Sequence, residues 1–192
     1  MDHLGGALTV LEAVEVRVLA SSLARAHPLN SLVAAAGRCA AGRRWEWDGV
    51  RFEFLHPQAG WESSRRNNQS CVLRVAAGGA SMLLTGDIER SAESVLVETI
   101  PQTDILLVPH HGSRTSSSAE FIAAVAPRWA VVPAGYRNRF GHPAREVLER
   151  YASARVPVLR TDLDGAVSVV LKPDSIRIQS ERRLRPRYWR RV

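Results

Sequence analysis

No apolar run in this sequence approaches the ~20 residues that cross a bilayer, so no transmembrane helix is expected within it. The start, Met1-Asp2-His3-Leu4-Gly5-Gly6, lacks the basic stretch followed by an apolar one that marks a secretory signal. These absences predict a soluble chain. Lysine is nearly missing: Lys172 is the only one, and the remaining basic side chains are arginine. Cysteine is scarce too. Cys39 and Cys71 are far apart in sequence and form no CxxC pair, which argues against a zinc knuckle. They are either two small buried residues or, if the domain works outside the cytoplasm, one disulfide. No internal repeat and no linker divides the chain.

What is present describes a globular domain. The 192 residues are 45% hydrophobic and 23% charged, which suits a real core and excludes a disordered chain. The net charge of +7 is concentrated at one end. Residues 181–192 hold six arginines against Glu181, a net +5, so residues 1–180 are close to neutral. We therefore expect a body, 1–180, and a basic tail, 181–192. Such a tail suits phosphate backbones, and Tyr188 and Trp189 can stack on bases; a solvated terminus is the alternative.

Apolar periodicity alternates strands with helices. Helices are expected over residues 5–13, 29–36, 88–98, 119–125 and 144–152, the last with Pro143 in its first turn. Residues 14–18, 50–54, 105–108, 129–132, 156–159, 166–171 and 176–178 read as strands. Residues 71–76 and 81–84 read as a hairpin closed by Gly78-Gly79. Residues 37–48 and 58–69 read as loops. The sum is one α/β domain with a mixed sheet or two packed sheets.

Metal-binding side chains gather where strands end. Asp2-His3 precedes Gly5-Gly6. Asp87 ends Leu83-Leu84-Thr85-Gly86-Asp87. His110-His111-Gly112-Ser113 follows the strand at 105–108, and His142 sits between Gly141 and Pro143. Taken singly, an Asp in a Gly-Asp turn is usually a helix cap, and a His beside glycine is usually a surface residue. The ordered set says more. Histidine and carboxylate together suit Zn²⁺ or Mn²⁺, and an aspartate can bridge two such ions about 3.5–4 Å apart.

These segments, with Asn67-Asn68-Gln69-Ser70-Cys71-Val72-Leu73, Trp45-Glu46-Trp47-Asp48-Gly49-Val50, Leu55-His56-Pro57 and Asn138-Arg139-Phe140-Gly141-His142-Pro143, resemble the metallo-β-lactamase-like domain of the ComEC family, the membrane channels of bacterial DNA uptake. The resemblance runs from Asp2 to about Val170. It implies an αββα sandwich and two divalent ions, Mn or Zn, with no small-molecule cofactor. It implies Asp2, His3, Asp87 and His142 as metal ligands, with Asp87 bridging. It places His110, His111 and Ser113 in the catalytic segment. Asn67 and Asn68 match the family's polar loop, and with Arg114, Arg187 and Arg190 they are expected to meet substrate.

The family motif His-x-Asp-x-Asp-His begins before Met1. The resemblance therefore implies a domain lacking its first strands, taken from an inner-membrane parent and placed outside the cytoplasm. The expected activity is metal-dependent hydrolysis of DNA phosphodiesters, with DNA and the parent's transmembrane channel region as partners. Two rivals are a hydrolase of another ester or amide on the same fold, and a non-enzymatic DNA-binding or scaffold module with a decayed metal site.

Overall fold

The computed structural model describes residues 4–186. Asp2, His3, Arg187 and Arg190, together with Tyr188 and Trp189, lie outside those residues. Helix α1 (Ala7–Ala13) leads into β1 (Val18–Ser21), which pairs in parallel with β2 (Ala35–Arg38). A seven-stranded sheet follows. Its first four strands are antiparallel: β3 (Arg44–Trp47), β4 (Val50–His56), β5 (Val72–Ala77) and β6 (Ala80–Leu84). Helix α2 (Arg90–Leu96) then crosses to β7 (Ile105–Leu107), α3 (Ala119–Val125) to β8 (Trp129–Val132), and α4 (Arg145–Ser153) to β9 (Val158–Arg160). Each of these crossovers adds its strand in parallel to the one before. A short turn of helix, α5 (Thr161–Asp164), precedes the antiparallel hairpin of β10 (Val167–Lys172) and β11 (Ser175–Ser180), and α6 (Glu181–Leu184) ends the described chain. The expected mixed α/β architecture is the one observed.

The two faces of the large sheet differ. Side chains alternate across a strand, and Val72, Leu83, Leu106, Ala130 and Val132 all point into one core with α2, α3 and α4. Phe121 and Tyr151 are sealed there at 0% exposure. Burying one such large side chain contributes about 1.5–3 kcal/mol. Ser118 caps α3 by accepting from Phe121 N at 3.3 Å, and Ala126, in the left-handed region at φ 45°, ends it. The other face carries Phe52, Leu73, Val75, Met82, Leu84 and Leu107, which stay half-buried. The β10–β11 hairpin lies against β5 and β6 and turns its half-buried residues, Val169, Leu171, Ile176 and Ile178, to one side.

Four expectations are corrected. Residues 37–48 are not a loop: they contain β3 and the end of β2. Trp45 and Trp47 alternate with Arg44 and Glu46, and Asp48-Gly49 closes a two-residue hairpin with both φ positive, 49° and 76°. Residues 29–36 are not one helix but a 3-10 turn, Pro28–Leu32, followed by β2. The strand expected at 14–18 begins only at Val18. Pro143 is not the first helical residue, because α4 starts at Arg145 after an extended Ala144.

Cys39 and Cys71 are paired, with Cα atoms 5.8 Å apart. The disulfide ties the end of β2 to the start of β5. The first part of the basic tail also packs on the body: α6 contacts β11, and Arg182 donates to Leu163 O at 2.6 Å.

Candidate metal centre and cleft

The functional side chains sit just past the C-terminal ends of three parallel neighbours, β6, β7 and β8, where open α/β sheets place their ligands. After β6, Gly86 takes φ 57°, and a Cβ there would lie 2.9 Å from Ser70 Cβ. That close approach lets Asp87 N donate to Ser70 Oγ at 3.1 Å. After β7, His110 and His111 occupy a tight turn with φ of 50° and 56°, values that L side chains adopt reluctantly. Gly112 follows at φ 80°, and a Cβ there would meet Pro143 Cβ at 2.6 Å. Ala144 N donates to Gly112 O at 2.8 Å. The histidine turn and the His142–Pro143 loop are thereby locked together.

Within this frame His111 Nδ1 lies 2.8 Å from Pro133 O. A carbonyl can only accept, so Nδ1 is the donor in this contact. Nε2 lies 3.6 Å from Asp87 Oδ1. His142 stands 5.9 Å from His110, ring centre to ring centre, and stacks on Phe140. Asn138 holds its loop, accepting from His142 N at 2.9 Å and donating to His142 O at 2.6 Å. Burial, then the neighbouring His110 and His111, lower the pKa of His142 against the opposing pull of Asp87. A neutral imidazole is the form that ligates a metal. His110, His111, Asn138, Phe140 and His142 line a cleft of about 270 Å³.

A ring of polar side chains holds His110. Its Nδ1 faces Glu89 Oε1 and Thr115 Oγ1, each at 3.5 Å, and its Nε2 lies 3.4 Å from Asn67 Nδ2. Glu89 in turn accepts from Arg65 at 2.9 Å, Thr115 at 3.1 Å and Asn67 at 3.5 Å. Burial raises the Glu89 pKa, but these hydrogen bonds and the Arg65 charge together outweigh it, and the net shift is downward. Glu89 is thus kept ionised beside His110.

Of the expected site residues, the structure brings together Asp87, His110, His111, His142 and Asn67. Asn68 is fully buried, and its Oδ1 accepts from Glu89 N at 2.8 Å, so it shapes the loop from behind. Ser113 is also buried, its Oγ 3.1 Å from Thr115 Oγ1. Arg114 is exposed at the edge, 3.7 Å from Glu146. Glu89, Arg65 and Thr115 were not anticipated; the one signal available was Glu89 standing two residues beyond Asp87.

The donor types, one carboxylate and three imidazoles, fit a divalent ion in kind. In number they fall short, because no three such side chains converge as a metal cage among the described residues.

A family model for the metallo-β-lactamase superfamily matches residues 1–136. The chain is 42% identical over 161 residues to Competence protein ComA of Neisseria gonorrhoeae, covering 80% of this chain and 22% of that protein. It is 35% identical over 181 residues to Recombination protein 2 of Haemophilus influenzae, covering 94% of this chain and again 22% of the relative. The chain thus spans about a fifth of the length of these relatives. Among solved structures, a protein from Parabacteroides distasonis superposes with a TM-score of 0.54 at 11% identity, over 80% of this chain and 69% of that one, a likeness of fold.

Proposed function

The chain belongs to the metallo-β-lactamase superfamily, and from that premise we propose that it is the hydrolytic domain of a longer competence protein and cleaves DNA phosphodiester bonds. One observation carries the reading: Asp87 lies 3.6 Å from His111, and the His110 ring neighbours both His111 and His142, so one carboxylate and three imidazoles from three different strand ends become neighbours at one end of the sheet. Similarity to a competence protein and a recombination protein supports DNA as the substrate class. Asp87, His111 and His142, joined by Asp2 and His3, would hold two divalent ions, Mn or Zn. Such ions, when bound, activate water and neutralise charge on a phosphate.

The chain's own groups do the rest. Pro133 O holds His111 Nδ1 at 2.8 Å, which sets the ring so that Nε2 is the nitrogen on the Asp87 side. Glu89 and Thr115 set the His110 ring beside His142, placed to give a proton to a leaving oxygen. Arg65 and Arg114 supply phosphate contacts, and Arg187 and Arg190, outside the described residues, are proposed to add to them. The disulfide suits an oxidising compartment, which favours placing this domain outside the cytoplasm, docked on the channel of the longer protein. No helix among the described residues is long and apolar enough to cross a membrane.

The test is metal analysis of the purified chain together with DNA cleavage in Mn²⁺ or Zn²⁺. Bound metal and cleavage are expected, with Asp87→Ala losing both. Activity retained by Asp87→Ala removes the bridging assignment. The non-enzymatic reading draws on the lack of three converging donors among the described residues; metal-free protein that binds DNA without cutting it would establish that reading instead.

A further inference from the structure

A second cavity lies away from the cleft. It occupies about 410 Å³ between the large sheet and β11, within the size range of small-ligand sites. Trp129 and Leu159, which lie outside the helix-covered core, form part of its wall, and Ile176 and Ile178 of the hairpin form another. Trp129 is 37% exposed, unusual for so large an apolar ring with aliphatic neighbours. Arg128 and Arg183 also line the cavity, with side chains 72% and 76% exposed. Each has a carboxylate near it, Asp104 and Asp164, but at 3.6 Å, so both guanidiniums keep donors for another partner. Asp174 is the one carboxylate in the lining itself, beside two arginines.

The decisive group is Ser180. The residue is 4% exposed and lines the cavity, and its hydroxyl finds no partner among the described residues. A buried hydroxyl without a hydrogen bond is costly unless something fills the role. The set is a flat aromatic wall, an aliphatic slot, an unsatisfied hydroxyl inside and cations at the mouth. Inorganic phosphate would use only the last of these, and an apolar peptide would leave the cations and the hydroxyl idle.

We propose that this cavity binds one unpaired nucleotide of a single-stranded nucleic acid, its base stacked on Trp129 with a polar edge at Ser180 Oγ and its phosphate on Arg128 and Arg183. Arg182, Arg183 and Arg185 follow Ser180 within five residues in the sequence. The site is separate from the cleft: Trp129 opens β8 while Pro133, beyond its end, lines the cleft, about 13 Å further at ~3.3 Å per residue.

The test is fluorescence anisotropy of a labelled twelve-nucleotide oligothymidylate on the full chain in EDTA, where no metal-dependent cleavage takes place. Trp129→Ala should weaken binding roughly 5- to 150-fold, the loss expected for one base stack. Trp129→Phe, which keeps a ring, should restore most of it, separating stacking from damage to the fold. Arg128→Ala with Arg183→Ala should flatten the log–log salt slope by about 0.7, the share of one single-strand phosphate contact. Trp47→Ala, removing an indole 70% exposed elsewhere, should change nothing. Unchanged affinity in Trp129→Ala, an equal loss in Trp47→Ala, or an equal loss for a duplex of the same length would overturn the assignment. Cleavage of a small phosphodiester by Trp129→Ala at the wild-type rate keeps this result independent of the hydrolytic reading.

Discussion

Glu89 and Glu93 stand one helical turn apart, and both are buried, at 8% and 0% exposure. Glu89 immediately precedes α2 and gathers Arg65, Asn67 and Thr115 around His110. Glu93, within α2, faces the core and accepts from the backbone N–H groups of Ser117 and Ser118, where α3 begins. Tyr151 closes that inner cluster, donating to Ser117 Oγ at 3.2 Å. The pKa values move in opposite directions, down for Glu89 and up for Glu93, where burial dominates the hydrogen bonds. A cation within reach of solvent separates the two: Arg65 completes the Glu89 cluster, whereas among the described residues no arginine is hydrogen-bonded to Glu93 and Arg150 acts on it only through its charge. One carboxylate faces the candidate site through His110, the other holds two elements together.

The contrast breaks if the two clusters respond alike. Losing the disulfide tests this most strongly. Closing a loop of this length contributes about 3–4 kcal/mol in the chain-entropy model, so Cys39→Ser with Cys71→Ser should lower the unfolding free energy by about that much in urea titrations. The bridge lies beside Ser70 and the 66–69 turn. Hydrogen exchange should therefore rise around Glu89 before it rises around Glu93. Next, Glu93→Ala leaves two backbone N–H groups without acceptors and should cost about 2–4 kcal/mol, read as a drop in Tm.

Glu89→Gln should do the reverse. Its thermal unfolding stays within about 1 kcal/mol of wild type, while phosphodiester cleavage falls about 10- to 100-fold through His110. An equal loss of stability in both variants would erase the distinction. A pH titration sharpens it further. The raised pKa means that the share of stability from Glu93 is fully present below its ordinary value of 4.5 and is lost as pH rises through the folded-state value. Wild type should accordingly lose stability relative to Glu93→Gln on going from acid to about neutral pH in urea titrations. The smallest effect belongs to Tyr151→Phe, about 1 kcal/mol, the worth of one buried hydrogen bond.

Local signals carried most of the architecture. The hairpin at Gly78-Gly79, the strand at 129–132 and the helix at 119–125 each announce themselves by period and by a turn or cap within a few residues. The β3–β4 hairpin was written locally too, in Asp48-Gly49, but Trp45 and Trp47 are exposed at 38% and 70%, so no buried stripe marked the strand. Asp87, His110, His111 and His142 were legible because glycines flank them at strand ends. Glu89 and Arg65 were not. Their pairing spans 24 positions, and only the folded chain brings the loops together. For Asn68 and Ser113 the sequence shows the residue type but not its direction, and both turn inward.

The paired left-handed residues His110 and His111 set stability against activity. Holding an L side chain in that region costs about 1–2 kcal/mol, a cost that glycine largely avoids. A library selected for thermal resistance alone would accumulate glycine at both positions and report each replacement as an improvement. The imidazoles would vanish from the cleft in the same step. A thermostable variant of this domain should therefore be chosen with both histidines held fixed.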